Sequence, residues 1–380
     1  RVSWVPGPLS VLIGVNGSGK SNLLRALALL SDTARGRLSS SIREAGGITP
    51  LLWDGQSPWL TWRLHVEMAR EWPDRVPDRI EYNLKLERLG MGGAYLVSGE
   101  HLLQAARVVD DQRQAPFYWL DRLPERATLR TPDGDAVPYP AEALEGTESL
   151  LSLISDPVQF APQFALRQYL SAWRVYHDID VSFGAELRRA TVTRLERQVD
   201  SDGQNLIAVL HTLYSGDKVF RDDLDAAMRA AFGPDFEELT FPPAADGRVQ
   251  LRVRWRSLRR AQSAADLSDG ILRFLFLITV LANPDPPPLI AIDEPEAGLH
   301  PSMLPIVAEF AADAASRTQV ILTTHSPQFL SAFSDSPDST VVVEWCDGKT
   351  ELRPLSGERL DRWLEHYKLG DLWLSGELEE

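Results

Sequence analysis

This 380-residue sequence predicts an α/β fold with a mainly parallel sheet, an antiparallel β lobe and an inserted helical arm. Three observations lead there. Near the start an apolar run, LSVLIG at residues 9–14, passes through a glycine-rich turn into a helix-patterned stretch, Ser21 to Leu30. Toward the end, apolar strands alternate with a helix pattern: LIAID, then MLPIVAEFAADAA, then QVILTT. In between, short segments of alternating polarity are separated by Pro, Gly and Asp, the punctuation of antiparallel strands.

Taken in order, the first strand and its helix open a parallel core that the chain leaves at about residue 57 and rejoins at about residue 262. The core is therefore discontinuous, residues 1–57 and 262–380. Residues 58–140 hold WLTWRLHVEM, RIEYNLKLERL, GAYLVSG and ATLRTPDGDAVPY, the expected β lobe. Residues 141–261 are the expected arm, with helical patterns in NLIAVLHTLY and DDLDAAMRAAF. A strand-like pair, FEELTF and GRVQLRVRW, then leads into a helix over Gly270 to Leu281. No heptad runs through the arm and no repeat of solenoid period is present.

Composition narrows the class. A hydrophobic share of 44% is ordinary for a folded chain with a sizeable core. The single cysteine, Cys346, cannot close an internal disulfide, so a reducing, cytoplasmic setting is expected. The apolar stretch Phe274 to Ala282 is far shorter than the roughly 20 residues a bilayer crossing needs, so it should be a buried helix, with no membrane involved. A net charge of -15 disfavours attraction of the whole surface to nucleic acid. A local basic stripe remains, Arg252, Arg254 and Arg256 on one strand face with Arg259 and Arg260 beyond.

The chemistry concentrates at strand ends. Gly14-Val15-Asn16-Gly17-Ser18-Gly19-Lys20-Ser21 fits the G-x-x-x-x-G-K-[ST] phosphate loop and sits between a strand and a helix, as that mechanism requires. Its glycines let backbone N–H groups turn toward phosphate oxygens, and the helix N-terminus adds partial positive charge. Lys20 would bridge the β- and γ-phosphates of ATP, and Ser21 would ligate Mg²⁺. The candidate nucleotide contacts run from Asn16 through Gly17, Ser18, Gly19, Lys20 and Ser21 to Asn22. LIAID ends in Asp293 and Glu294; the first suits Mg²⁺ held through hard oxygen ligands, the second suits a base that orients or deprotonates the attacking water. QVILTT ends in His325, whose imidazole could reach a γ-phosphate opposite Lys20. His300, in PEAGLHP, reads as a residue that shapes a turn. Ser268, in LSDG at a helix start, could offer a hydroxyl to a phosphate, although such a serine is most often an N-cap.

In combination, GVNGSGKS, LSDGILRFL, LIAIDEPEAGLHP and ILTTHSPQFL resemble the RecF-type and SMC-type branch of the ABC ATPases. The likeness is closest to small bacterial ATPases related to the ATPase half of the overcoming-lysogenisation-defect proteins, and DGQNLIAVLHTL and EHYKLGDLWLSGELEE share it. The resemblance implies two ATPase heads facing head to tail, each ATP held between the phosphate loop of one copy and the signature of the other. Ser268 and Gly270 would then touch the γ-phosphate across a homodimer interface, with Asn16 and the turn Glu296 to Leu299 nearby. The family's Mg²⁺-sensing glutamine has three candidate counterparts, Gln56, Gln159 and Gln163, with Gln159 preferred. The family's long coiled coil has no counterpart here.

The expected activity is hydrolysis of ATP to ADP and phosphate, driving a shape change that acts on DNA or an effector protein in repair, recombination or anti-phage defence. A regulatory ATPase subunit of a nuclease complex is the alternative. A cutting centre within this chain is not expected, because the segment after His325 offers no acidic cluster beyond Glu377, Glu379 and Glu380. A transporter motor is disfavoured by the form of LSDGILRF, and a GTPase by the lack of an N-K-x-D segment.

Overall fold

The computed structural model describes residues 2–378 except 56, 68–75, 105–107, 110, 111 and 114, which places Gln56, Glu379 and Glu380 outside the described residues. The chain divides into two compact units, Arg1–Ala26 with Arg174–Glu380, and Leu27–Trp173.

The first unit is built on a six-stranded sheet in the order Arg174–Tyr176, Leu289–Ile292, Gln319–Thr324, Leu9–Ile13, Thr340–Cys346, Lys349–Pro354. The first five strands run parallel and the last is antiparallel. Leu289–Ile292 and Gln319–Thr324 are buried along almost their whole length, which is why they read as unbroken apolar runs. Parallel pairing brings the carboxyl ends of neighbouring strands to one edge, where Ile13 pairs with Thr324 and Ile292 with Leu322. The loop after residue 13, the acids after 292 and the histidine after 324 thus emerge side by side. The edge strand Arg174–Tyr176 lies in a stretch read as helical and was not anticipated as part of this sheet; three residues are too few to show a period.

The helix Asp269–Leu281 is apolar nearly all round, and Leu272 and Phe274 through Leu281 are buried. Among the described residues no helix is long and apolar enough to cross a membrane. The helices Leu206–Gly216 and Lys218–Phe232, expected in a separate arm, instead bury Leu206, Leu210, Phe220 and Leu224 in the same core as Val11, Ile290 and Leu322. This corrects the expected partition. A helix as apolar as LIAVLHTLY must be covered by other structure, and here the head's own sheet and helices cover it. The boundary therefore falls at Trp173, not at residue 261.

The second unit carries a six-stranded antiparallel sheet in sequence order: Trp59–Glu67, Arg79–Arg88, Tyr95–Gln104, Phe117–Leu123, Arg126–Arg130, Ala136–Tyr139. Arg79–Arg88 buries every second side chain, Ile80, Tyr82, Leu84 and Leu86, as its alternation predicts. The next two strands of the sheet carry a buried ion pair in register, Arg122 with Glu100, at 3.2 Å. Glu100 also accepts from the Tyr82 and Ser149 hydroxyls and from the Leu150 and Leu151 N–H groups. Every lone pair of a buried carboxylate is costly to leave empty, and five donors converge on this one.

Candidate functional site

The phosphate loop has the backbone its glycines foreshadow. Gly17 and Gly19 have φ of 84° and 108°, values that side chains other than glycine rarely adopt. Gly19 is required twice over, since a Cβ there would collide with Thr350. Thr350, on the strand Lys349–Pro354, donates its hydroxyl to the Ser18 carbonyl at 2.9 Å and so braces the loop from the sheet edge. Nothing in the sequence near Thr350 points to this contact. Lys20 is only 6% exposed and curls back to donate to the carbonyls of Gly14 at 2.7 Å and Val15 at 3.2 Å. Burial holds its pKa below the ordinary lysine value, with Glu294, Asp293 and Glu296 pulling in the opposite direction. Asn16, Gly17 and Asn22 are exposed along the loop, and Ser21 is half-buried.

Beside the loop, Asp293 is held by four contacts. The Thr323 hydroxyl donates to one carboxylate oxygen, and His177 Nδ1 lies 3.4 Å from the other. Its N–H donates to the Tyr176 carbonyl at 2.8 Å. The Ser21 hydroxyl also bears on it: burial pushes this carboxyl up, but the His177, Thr323 and Ser21 contacts outweigh burial and bring it below the usual range. His177 follows the edge strand Arg174–Tyr176, and its role was not legible because that strand was not. A Ser21 hydroxyl beside an ionised carboxylate is a hard-oxygen pair of the kind Mg²⁺ takes, the remaining positions being left to phosphate and water. The donor set fits that ion.

Glu294 turns away from the strand with φ of 46°, a left-handed conformation uncommon for a glutamate, and its N–H donates to Thr323 Oγ1 at 3.0 Å. Its carboxylate meets His325 Nδ1 at 3.0 Å. Glu296, largely buried, accepts from the Thr324 hydroxyl at 2.5 Å and from the His325 N–H at 3.2 Å. Burial raises its pKa, which the Thr324 and His325 contacts only partly offset. The consecutive threonines of ILTTHS therefore serve one acid each, Thr323 on Asp293 and Thr324 on Glu296, because neighbours on a strand face opposite ways.

Ser268 is exposed and caps its own helix, accepting from the Ile271 N–H at 3.3 Å. Among the described residues no hydrogen bond joins it to the Gly14–Ser21 loop. Gly270 lies against the turn after Glu296: a Cβ there would stand 3.0 Å from the Gly298 carbonyl. His300 is an N-cap, accepting from the Ser302 N–H at 3.3 Å. The glutamine candidates fare differently. Gln163 is fully buried in the second unit and donates to the Trp119 and Arg130 carbonyls at 2.7 and 2.9 Å, a structural tie that removes it as a metal sensor. Gln159 is exposed in that same unit, where its backbone N–H donates to Asp156. The basic stripe is smaller than expected: Arg252 is half-buried and bonded to Gln250, and Arg254 lies 3.5 Å from Glu238.

Comparison with known proteins gives the family. The model described as "AAA domain, putative AbiEii toxin, Type IV TA system" matches residues 9–60 and 126–331, more than half of the chain. Among curated proteins no match to this sequence is found. Solved structures that cover nearly all of it include two Smc heads. One is an Smc head domain with an extended coiled coil bound to the C-terminal domain of ScpA, derived from Pyrococcus furiosus (13% identity, 94% of this chain, 92% of that one, TM-score 0.54). The other is an Smc head bound to the C-winged helix domain of ScpA (16% identity, 93% and 92%, TM-score 0.51). Identities this low carry the fold alone, a shared SMC-head architecture of parallel sheet, antiparallel sheet and helices. With the family model spanning both the phosphate loop and the strand ends that face it, the chain belongs to this family of AAA domains, P-loop ATPases at the family level.

Proposed function

We propose that this chain binds ATP with Mg²⁺ at the Gly14–Ser21 loop, hydrolyses it, and uses the γ-phosphate to hold two copies together. The observation that carries the reading is the convergence at one sheet edge of Lys20, Ser21, Asp293, Glu294 and His325, delivered by three adjacent parallel strands.

Each residue has a distinct task. Backbone N–H groups of the loop surround phosphate oxygens, and Lys20 exchanges its two carbonyl partners for the β- and γ-oxygens. Ser21 and Asp293 would hold Mg²⁺, which would supply neutralisation of the charge developing on the transferring phosphoryl group. Glu294 orients the attacking water and accepts its proton. His325, fixed through its Nδ1 by Glu294, presents its other ring nitrogen toward the γ-phosphate. Ser268 and Gly270, on the exposed start of the helix Asp269–Leu281, cap the nucleotide of a second copy. We place the process driven by this switch with DNA or an effector protein, in repair, recombination or defence, in the manner of the overcoming-lysogenisation-defect ATPases.

The deciding experiment uses Glu294→Gln, which should bind ATP, hydrolyse it about 10² to 10⁴-fold more slowly, and accumulate as an ATP-held dimer. Mass measurement in solution with and without ATP-Mg²⁺ reads this out. A chain that stays monomeric at high concentration with ATP bound defeats the shared-site reading.

A further inference from the structure

The buried guanidinium of Arg188 lies outside everything assigned above. It is 7% exposed and donates in two directions. Nε reaches the carbonyls of Val181 at 2.7 Å and Ser182 at 3.1 Å. Nη1 reaches those of Leu267 at 2.7 Å, Ala264 at 3.2 Å and Ala265 at 3.4 Å. Nη2 pairs with the Asp269 carboxylate, the residue after Ser268. One planar fork thus ties the segment that follows the edge strand to the turn that begins the helix Asp269–Leu281. Arginine suits this work, since its donors are fixed in one plane and its charge survives burial.

That first segment begins at the metal side of the site. His177, its first residue, contacts Asp293, and Asp178 pairs with Arg273 of the same helix at 3.3 Å. Residues 177–189 therefore form a strap with one end on Asp293 and the other on the Leu267–Gly270 turn. A buried charge satisfied by six acceptors is expensive to disturb, so Arg188 fastens the strap to the turn.

We infer that Arg188 is a positioning residue that sets the Leu267–Gly270 turn for the nucleotide of a second copy, and that the strap it closes links each copy's own Asp293 to that turn. The inference rests on the shared-site reading. It makes one demand that a merely structural role does not. Loss of the fork must spare binding of ATP to a single chain, whose contacts lie in the Gly14–Ser21 loop, while weakening the ATP-held pair.

The test adds Arg188→Lys, which keeps charge and loses the fork, or Asp269→Asn to the Glu294→Gln chain. ATP affinity is measured with dilute protein, dimerisation with ATP-Mg²⁺ by sedimentation, and folding by thermal melting. Arg188→Lys should raise the dimer dissociation constant about tenfold or more and Asp269→Asn about fivefold, with ATP affinity of the single chain unchanged. Asp269 is 66% exposed, so this second variant carries the test even if Arg188→Lys does not fold. Equal dimerisation of parent and folded variants overturns the inference alone. Loss of single-chain ATP affinity in parallel with dimerisation overturns it in favour of a general structural role. A Glu294→Gln parent that never dimerises overturns the shared-site reading and the inference together.

Discussion

At Glu294 the chain leaves its strand with φ of 46°, a conformation that costs a side-chain-bearing residue of order 1 kcal/mol. The turn aims the carboxylate at His325, and a glycine would adopt it without strain. Glu294→Gly should therefore raise the melting temperature while hydrolysis is lost, a pairing of opposite effects that calorimetry and phosphate release can check together. Lys20→Ala should abolish ATP binding, measured by titration calorimetry, since no other cation among the described residues donates to the loop carbonyls. His177 offers a subtler outcome. It touches Asp293 without occupying an obvious ligand position, so His177→Ala should leave maximal turnover near that of the parent. The Mg²⁺ concentration needed for half of it should rise about 10-fold. The phosphate loop, Asp293, Glu294 and His325 could be read from residue types, because each follows an apolar run that marks a strand end. His177 and Thr350 could not, since a three-residue strand and a hydroxyl aimed across a sheet edge leave no periodic trace.

The strands and helices were legible in proportion to their length and their contrast. Arg79–Arg88 alternates cleanly and lies where its pattern put it; the helix Asp269–Leu281 begins one residue before its expected start, at the Ser268 cap. Arg174–Tyr176 and Phe117–Leu123 carry no legible pattern, the first for brevity and the second because its outer positions are exposed aromatic residues that break the alternation. In the antiparallel sheet the Glu100–Arg122 pair ties strands to the Glu145–Leu151 segment through the Glu145 and Glu148 carbonyls and the Leu150 and Leu151 N–H groups. Removing one member leaves the other charge uncompensated, so Glu100→Ala should destabilise the protein by about 3–5 kcal/mol, visible in urea unfolding. The same physics explains why the pair was not anticipated. Glu100 and Arg122 sit on different strands, and only the register between them brings the charges together.

For the molecule as a unit, charge and partition matter most. The net charge of -15 and the pairing of Arg254 with Glu237 and Glu238 leave the exposed arginines at 256, 259 and 260 as a small basic patch. The free chain should accordingly bind duplex DNA no more tightly than about 10⁻⁶ M at physiological salt, as fluorescence anisotropy with labelled DNA can establish. Any tighter grip would have to come from a second copy or a partner. The partition itself shows how reading and folding divide the work. Local chemistry needs only neighbours in the chain: a glycine turn between strand and helix, or two acids after an apolar run, declares itself because backbone geometry and residue type are set over a few positions. Which helices share a core is a different matter. Leu206–Gly216 and Lys218–Phe232 looked like a separate arm because an apolar face says that it must be covered and not by what. The answer, the head's own sheet, depends on one core gathering residues as far apart in the chain as Val11 and Leu210. The reach of Arg188 to Asp269 depends on the same closure, and a contact between residues distant in the chain exists only once the chain has folded.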